Sequence, residues 1–285
     1  MGAIRDRMDG DLRLRGLSEV TRAEYLRCAG QFVAHYRCSP SSLGAEDVRR
    51  YLLYLVEERH FSAANIKIHI AAIKFLYTVT LDRPDVVAGV RFPKVPLKLL
   101  DIPSPSEVAA VLSQLKSPMY RTLLFCAYGA GLRVSEACKL CVGDINSKRM
   151  VIVVRDGKGG RDRYAILSPV LLESLRSYYK AARPPQPFLF QGRSPGKPVP
   201  VEGVQTALRM ALHRSGVSKR ITPHSLRHAF ATHSLESGTD LRVIEVLLGH
   251  ANIRTTVRYV HVSTSTIAAA RSPLDAIATK IQPNP

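Results

Sequence analysis

The sequence predicts a mainly α-helical protein with one small antiparallel β-sheet, divided into two domains. Three observations carry this reading. Apolar residues recur at helical spacing through most of the 285 residues, β-rich runs are confined to Met150–Arg155 and Arg163–Leu167, and five prolines crowd the stretch from Asp82 to Pro105. The division expected is a helical domain over 1–83, a Pro-rich basic linker over 84–104, and a second domain over 105–285 with a tail from about 264.

In the first domain, Thr21 and Glu24 have the spacing of a capping box, in which hydroxyl and carboxylate satisfy orphan amides reciprocally. Tyr25, Leu26, Ala29, Phe32, Val33 and Tyr36 then define one apolar stripe. A second helix is expected from about Ala45 to Arg59, burying Val48, Tyr51, Leu52 and Leu55. A third starts after Ser62, burying Ile66, Ile70, Ile73 and Tyr77 and offering Asn65, Lys67 and Lys74 on its other face. Short amphipathic helices joined by small loops make a compact bundle. Either lysine alone reads as part of a solvated face; together, beside a strongly basic second domain, they become credible phosphate contacts. Proline stiffens the following segment and removes amide donors, so an extended linker carrying Arg91, Lys94 and Lys98 is expected.

In the second domain, Ser104 or Ser106 caps a helix carrying Val108, Val111, Leu112 and Leu115. An apolar helix from Tyr120 to Tyr128 ends at Gly129-Ala-Gly131, which permits a tight turn. Arg133 follows at the start of a new helix, where amides and dipole favour an anion, with Glu136 three positions on as an obvious partner. The two β-rich runs flank Asp156-Gly-Lys-Gly-Gly160 and read as a hairpin with Lys158 at its tip. Such a lysine either solubilises a turn or reaches into a groove to deliver a proton. Helices are expected around Leu171–Tyr179 and Val204–His213. Further helices run from His224 to a stop at Gly238, and from Thr239 or Asp240 to Gly249.

Composition bounds the function. Hydrophobic content of 46% with 22% charged residues is ordinary for a globular protein, but 41 Lys and Arg against 23 Asp and Glu leave a net +18. That surplus favours a polyanion, most commonly nucleic acid. A cationic membrane binder fits less well, because no basic amphipathic helix carries the excess and no apolar run approaches ~20 residues. The N-terminus lacks the apolar region of a secretory signal. Five cysteines at irregular spacing suit reduced thiols in the cytosol, and Cys138 with Cys141 forms a lone CxxC lacking the partners of a zinc site.

The stretch Ile221–Val262 packs His224, Arg227, His250 and Tyr259 close together in sequence. Positions 224 and 227 share a helix face, so an imidazole and a guanidinium would converge, a pairing suited to a phosphate. Tyr259 alone could be a nucleophile or a core aromatic. His228, His233 and His261 lie nearby, without the clustered carboxylates or thiols that would accompany a metal.

Five segments in order, GAGLRVSEA, GKGGRDR, HSLRHAFATHSLESG, LLGHANIRTT and VRYVHV, resemble the successive motifs of the tyrosine recombinase (phage integrase) family. The resemblance covers the whole second domain, and the helical first domain and basic linker are similar to the family's DNA-clamping arm. It implies a two-domain C-shaped clamp on double-stranded DNA. It also implies that Arg133, Lys158, His224, Arg227 and His250 surround the scissile phosphate while Tyr259 attacks it. The implied chemistry is transesterification through a 3′-phosphotyrosyl link and a Holliday junction, needing neither metal nor other cofactor. The implied assembly is a homotetramer on two DNA sites, or one shared with a related protomer, acting in the cytoplasm at the bacterial nucleoid. Its task would be integration or excision of a mobile element, or dimer resolution. A type IB topoisomerase shares this chemistry, but the helical arm and the tail argue against it; a relative that only binds DNA is disfavoured because all six positions are filled. Pro273 interrupts an otherwise apolar pattern in the tail, where relatives dock onto a neighbouring protomer.

Overall fold

The computed structural model describes residues 2–94, 101–155, 162–194 and 196–249. The chain divides into two compact units, Met1–Lys98 and Leu99–Pro285.

The first unit is a helical bundle of α1 (Gly2–Leu14), α2 (Glu19–Tyr36), α3 (Ala45–Glu57) and α4 (Ala63–Phe75), the last running on into a π-helical turn, Leu76–Thr80. The helix α1 is an addition to the sequence reading. Met8 and Leu12 on it are fully buried, but a stripe of two residues among glycines and alternating charges is too narrow to stand out by periodicity. The Thr21–Glu24 capping box is not formed. Ser18 is the N-cap of α2, its hydroxyl accepting from the Thr21 amide at 3.3 Å, and Glu24 instead takes both ends of the Arg27 fork. An earlier cap, three residues upstream, places Thr21 inside the first turn. Ser62 caps α4 as expected, and Ile66, Ile70, Ile73 and Tyr77 are all buried. At the start of the segment read as an extended linker, Pro84–Val87 form a 3-10 turn whose Val86 and Val87 join the bundle core. Two adjacent valines supply apolar area that extended backbone would leave in water.

The second unit begins with α5 (Pro105–Ser113) and α6 (Pro118–Gly129). Ser104 and Glu107 form a reciprocal capping box on α5, at 3.2 and 2.7 Å. The short α7 (Val134–Cys138) leads to a three-stranded antiparallel sheet in the order β1 (Ile145–Asn146), β2 (Val151–Val154), β3 (Arg163–Ile166). Val151 pairs with Ile166 and Val154 with Arg163, so the two β-rich runs form the expected ladder; the turn carrying Lys158 lies outside the described residues. The remaining helices are α8 (Pro169–Ala182), α9 (Val201–Ser215), α10 (Pro223–Glu236) and α11 (Leu241–Leu248). One face of the sheet, with Ile152, Val154 and Ala165, packs into a core shared with α5 to α10, while Phe230, Ala231, Ile244 and Leu248 make a smaller cluster joining α10 to α11. The whole is mainly α with a small antiparallel sheet. Among the described residues, no helix is long and apolar enough to cross a membrane.

Candidate active site

A polar cluster forms where α6 ends. Gly131 turns the chain at φ +63, and a Cβ there would lie 2.5 Å from Cδ1 of Phe230, so glycine alone lets this turn pass so close to α10. The turn delivers Arg133 to the N-cap of α7. Glu136, one turn into that helix, accepts the Arg133 backbone N–H at 2.8 Å and its guanidinium Nη1 at 2.6 Å. The pairing expected between these two residues is present, and it does more than neutralise a charge: it sets both backbone and side chain of Arg133.

Two further guanidiniums reach the same carboxylate. Arg163, the first residue of β3, donates Nη1 to Oε1 at 2.9 Å and Nη2 to Oε2 at 2.7 Å, while its Nε donates to the Leu247 carbonyl at 2.9 Å. Arg227, inside α10, lies 3.6 Å from Glu136 and donates to the carbonyls of Gly131 and Leu248. The side chains of Arg227, Arg163 and Glu136 are 3%, 8% and 8% exposed; that of Arg133 is 25% exposed. Burial alone would push the Glu136 carboxyl up, but the Arg163 fork and the Arg133 N–H and guanidinium hold it down at about 2. Three guanidiniums against one carboxylate leave a surplus of positive charge, and Arg133 is the member most open to solvent. Such a cluster suits an anion with two or three oxygens.

The helix α10 is capped by Thr222, whose hydroxyl accepts from the Ser225 amide at 3.1 Å, with Pro223 in the first turn where no amide partner is needed. His224 and Arg227 lie one turn apart, but they differ sharply in burial. Arg227 points into the protein, whereas His224 is exposed and its Nε2 lies 2.8 Å from Nε2 of His228. His233 meets the Tyr128 hydroxyl at 2.9 Å, and burial lowers its pKa. Of the remaining residues expected at the site, Lys158, His250 and Tyr259 lie outside the described residues. So does His261. Among the described residues no three His, Cys, Asp or Glu side chains gather as a metal site would require. Cys138 is buried in the core and Cys141 donates to the Lys139 carbonyl, so the CxxC serves packing and a local turn.

Sequence reasoning missed Arg163. A signal was present: strand alternation puts position 163 on the same face as Ala165 and Leu167, both of which are buried. An arginine on an inward face needs a buried partner, and Glu136 is it.

Comparison with known proteins places this arrangement. Residues 104–266 match the model of the phage integrase family, and residues 4–85 match the phage integrase N-terminal SAM-like domain. A putative integrase/recombinase of Sinorhizobium fredii is 44% identical over 96% of this chain and 89% of its own length. The tyrosine recombinase XerA of Pyrococcus horikoshii is 33% identical over 91% of this chain and 89% of its own. A crystal structure of a lambda integrase tetramer bound to a Holliday junction superposes with a TM-score of 0.73 at 19% identity, covering 90% of this chain and 76% of that one, a likeness of fold. By these matches the chain belongs to the phage integrase family and is a tyrosine-type site-specific recombinase.

Proposed function

We propose that this recombinase cuts and rejoins double-stranded DNA with Tyr259 as nucleophile and with Arg133, Lys158, His224, Arg227 and His250 around the scissile phosphate. The observation that carries the reading is the three-arginine cluster on Glu136, which presents the partly open Arg133 beside the helix bearing His224 and Arg227. A phenol with pKa near 10 is only ~0.1% ionised at pH 7, so it needs a site that draws off its proton and stabilises charge on the phosphate. His224 accepts that proton. Arg133 and Arg227 neutralise the non-bridging oxygens as the tyrosine oxygen bonds to phosphorus, and His250 donates a further hydrogen bond. The P–O5′ bond breaks with its electron pair going to the 5′ oxygen, which Lys158 protonates. The products are a 3′-phosphotyrosyl bond and a free 5′-hydroxyl. Attack by a 5′-hydroxyl from a second duplex reverses the chemistry and joins the exchanged strand, so bond energy is kept throughout.

Strand exchange between two duplexes needs protomers on both. The assembly proposed is a tetramer on two DNA sites, the form in which lambda integrase was crystallised on a Holliday junction. The domain division proposed is a DNA-binding bundle over 1–83 whose core also takes in Val86 and Val87, a linker over the remainder to 104 and a catalytic domain over 105–285, with the chain working in the cytoplasm. The test is capture of covalent adducts by detergent precipitation from cells carrying the protein, followed by sequencing of the trapped DNA. Wild type should trap a discrete junction sequence and Tyr259→Phe none, while both bind a synthetic duplex of that sequence. An undiminished adduct in the phenylalanine variant would sink the assignment.

A further inference from the structure

We propose that Arg163 is a positioning residue for this reaction, setting through Glu136 the orientation in which Arg133 meets the phosphate; the inference rests on the reading of Arg133 given above. Nε, Nη1 and Nη2 of Arg163 are all engaged by Glu136 and the Leu247 carbonyl, so its role in the proposal runs through Glu136 and not through direct contact with DNA. Its planar fork engages both oxygens of Glu136, at 2.9 and 2.7 Å, while its third donor, Nε, holds the Leu247 carbonyl at 2.9 Å. Three bonds in one plane leave the guanidinium no rotational freedom, and the carboxylate plane is set with it. Arg133 Nη1 then binds the Oε1 that Arg163 has already placed.

The helix bearing Glu136 is five residues long, and within it the carboxylate is held by the Arg133 backbone N–H at 2.8 Å; a further hold comes from outside it. Arg163 supplies it from the sheet and fastens it to the end of α11. The fit at that end is close: a Cβ on Gly249, which has φ +60, would lie 2.7 Å from Cδ of Arg163. Among the described residues, Nε and Nη2 of Arg133 meet no acceptor. Without Arg163, the buried Glu136 carboxylate would lose its bidentate partner and draw those donors onto itself, away from the substrate. A lysine at 163 could supply charge and one bond to Glu136 but could not span both oxygens and the Leu247 carbonyl.

The experiment uses the full chain and a synthetic duplex of the junction sequence recovered from trapped wild-type adducts, with single-turnover cleavage and binding measured side by side. Arg163→Gln should slow cleavage by about 100-fold while changing Kd by less than about threefold, the size of losing one preorganised charge stabiliser. Arg163→Lys should fall between, at about tenfold. A second duplex carries a methylphosphonate at the scissile position, which lacks the charge that Arg133 neutralises. On it the deficit of each variant relative to wild type should shrink to within about threefold, which a general loss of structure would not produce. Cleavage of the charged duplex by Arg163→Gln at the wild-type rate, or equal deficits on both duplexes, would overturn the proposal. If the glutamine variant does not fold, the same two comparisons with the lysine variant decide. Failure of the wild type to form any adduct would instead overturn the parent reading, and this one with it.

Discussion

Gly131 shows how much of the site depends on a missing side chain. Its positive φ and its 2.5 Å approach to Phe230 impose two penalties on any replacement, backbone strain and a clash with a buried ring. Gly131→Ala should therefore lower stability by about 2–5 kcal/mol, the sum of typical overpacking and left-handed backbone costs. Urea denaturation checks this, and a loss below about 1 kcal/mol would mean that Phe230 yields easily. At this scale, legibility followed sequence separation. The Arg133–Glu136 pair could be read because three residues on a helix are neighbours. Arg227 could be singled out but not its burial, because its partners Gly131 and Leu248 come from distant turns. Strand alternation marks Arg163 as inward-facing, but its pairing stayed hidden because Glu136 is 27 positions away. No local pattern joins a strand residue to a helix across a hairpin.

Helix α4 illustrates the element scale. Its cap at Ser62 and its isoleucine stripe were legible as periodicity, yet a charged-type residue sits in the middle of the buried face. His69 is 1% exposed, with the Tyr51 hydroxyl of α3 3.4 Å from its Nδ1 and the Phe61 ring alongside. Burial lowers its pKa, the Arg27 charge on α2 lowers it further, and Glu24 on α2 opposes. A histidine whose folded pKa is depressed stabilises the fold above its ordinary value of 6.5, and that contribution is lost as pH falls below it, because the unfolded chain then binds the proton more readily. Melting of the first unit should thus shift downward between pH 7.5 and 5.5. His69→Gln, which cannot titrate, should flatten that dependence even if it lowers the melting temperature overall. Circular dichroism melts at the two pH values check it; an unchanged pH dependence in the variant would assign the effect elsewhere. Elements with weak stripes were the illegible ones. The helix α1 has two buried residues among charges, and the cap of α2 was misplaced because Ser18 and Thr21 both have capping side chains.

For the whole molecule, the legible features were the change of composition near the prolines and the unequal charge. Residues up to Lys98 hold 16 Lys and Arg against 11 Asp and Glu, and the rest hold 25 against 12. The first unit is therefore only mildly basic overall, and a phosphate contact proposed for it would rest on a local patch. One exists. The Lys67 and Lys74 ammonium groups stand 6.0 and 5.5 Å from the Phe92 ring centroid, and Phe92 is 48% exposed. The ring gathers two cations from positions about two turns apart on α4 and places them beside the chain that carries Arg91 and Lys94. If each lysine neutralises one phosphate, replacing both removes two released counterions. Lys67→Ala with Lys74→Ala should then reduce the slope of log Kd against log salt by about 1.8, at ~0.9 per phosphate on B-form DNA. Because phosphate contacts carry no sequence information, affinity should fall by a similar factor on the junction duplex and on a scrambled one. A slope that stays at the wild-type value would show that these lysines only solubilise α4, and a loss confined to the junction duplex would show that they read bases instead.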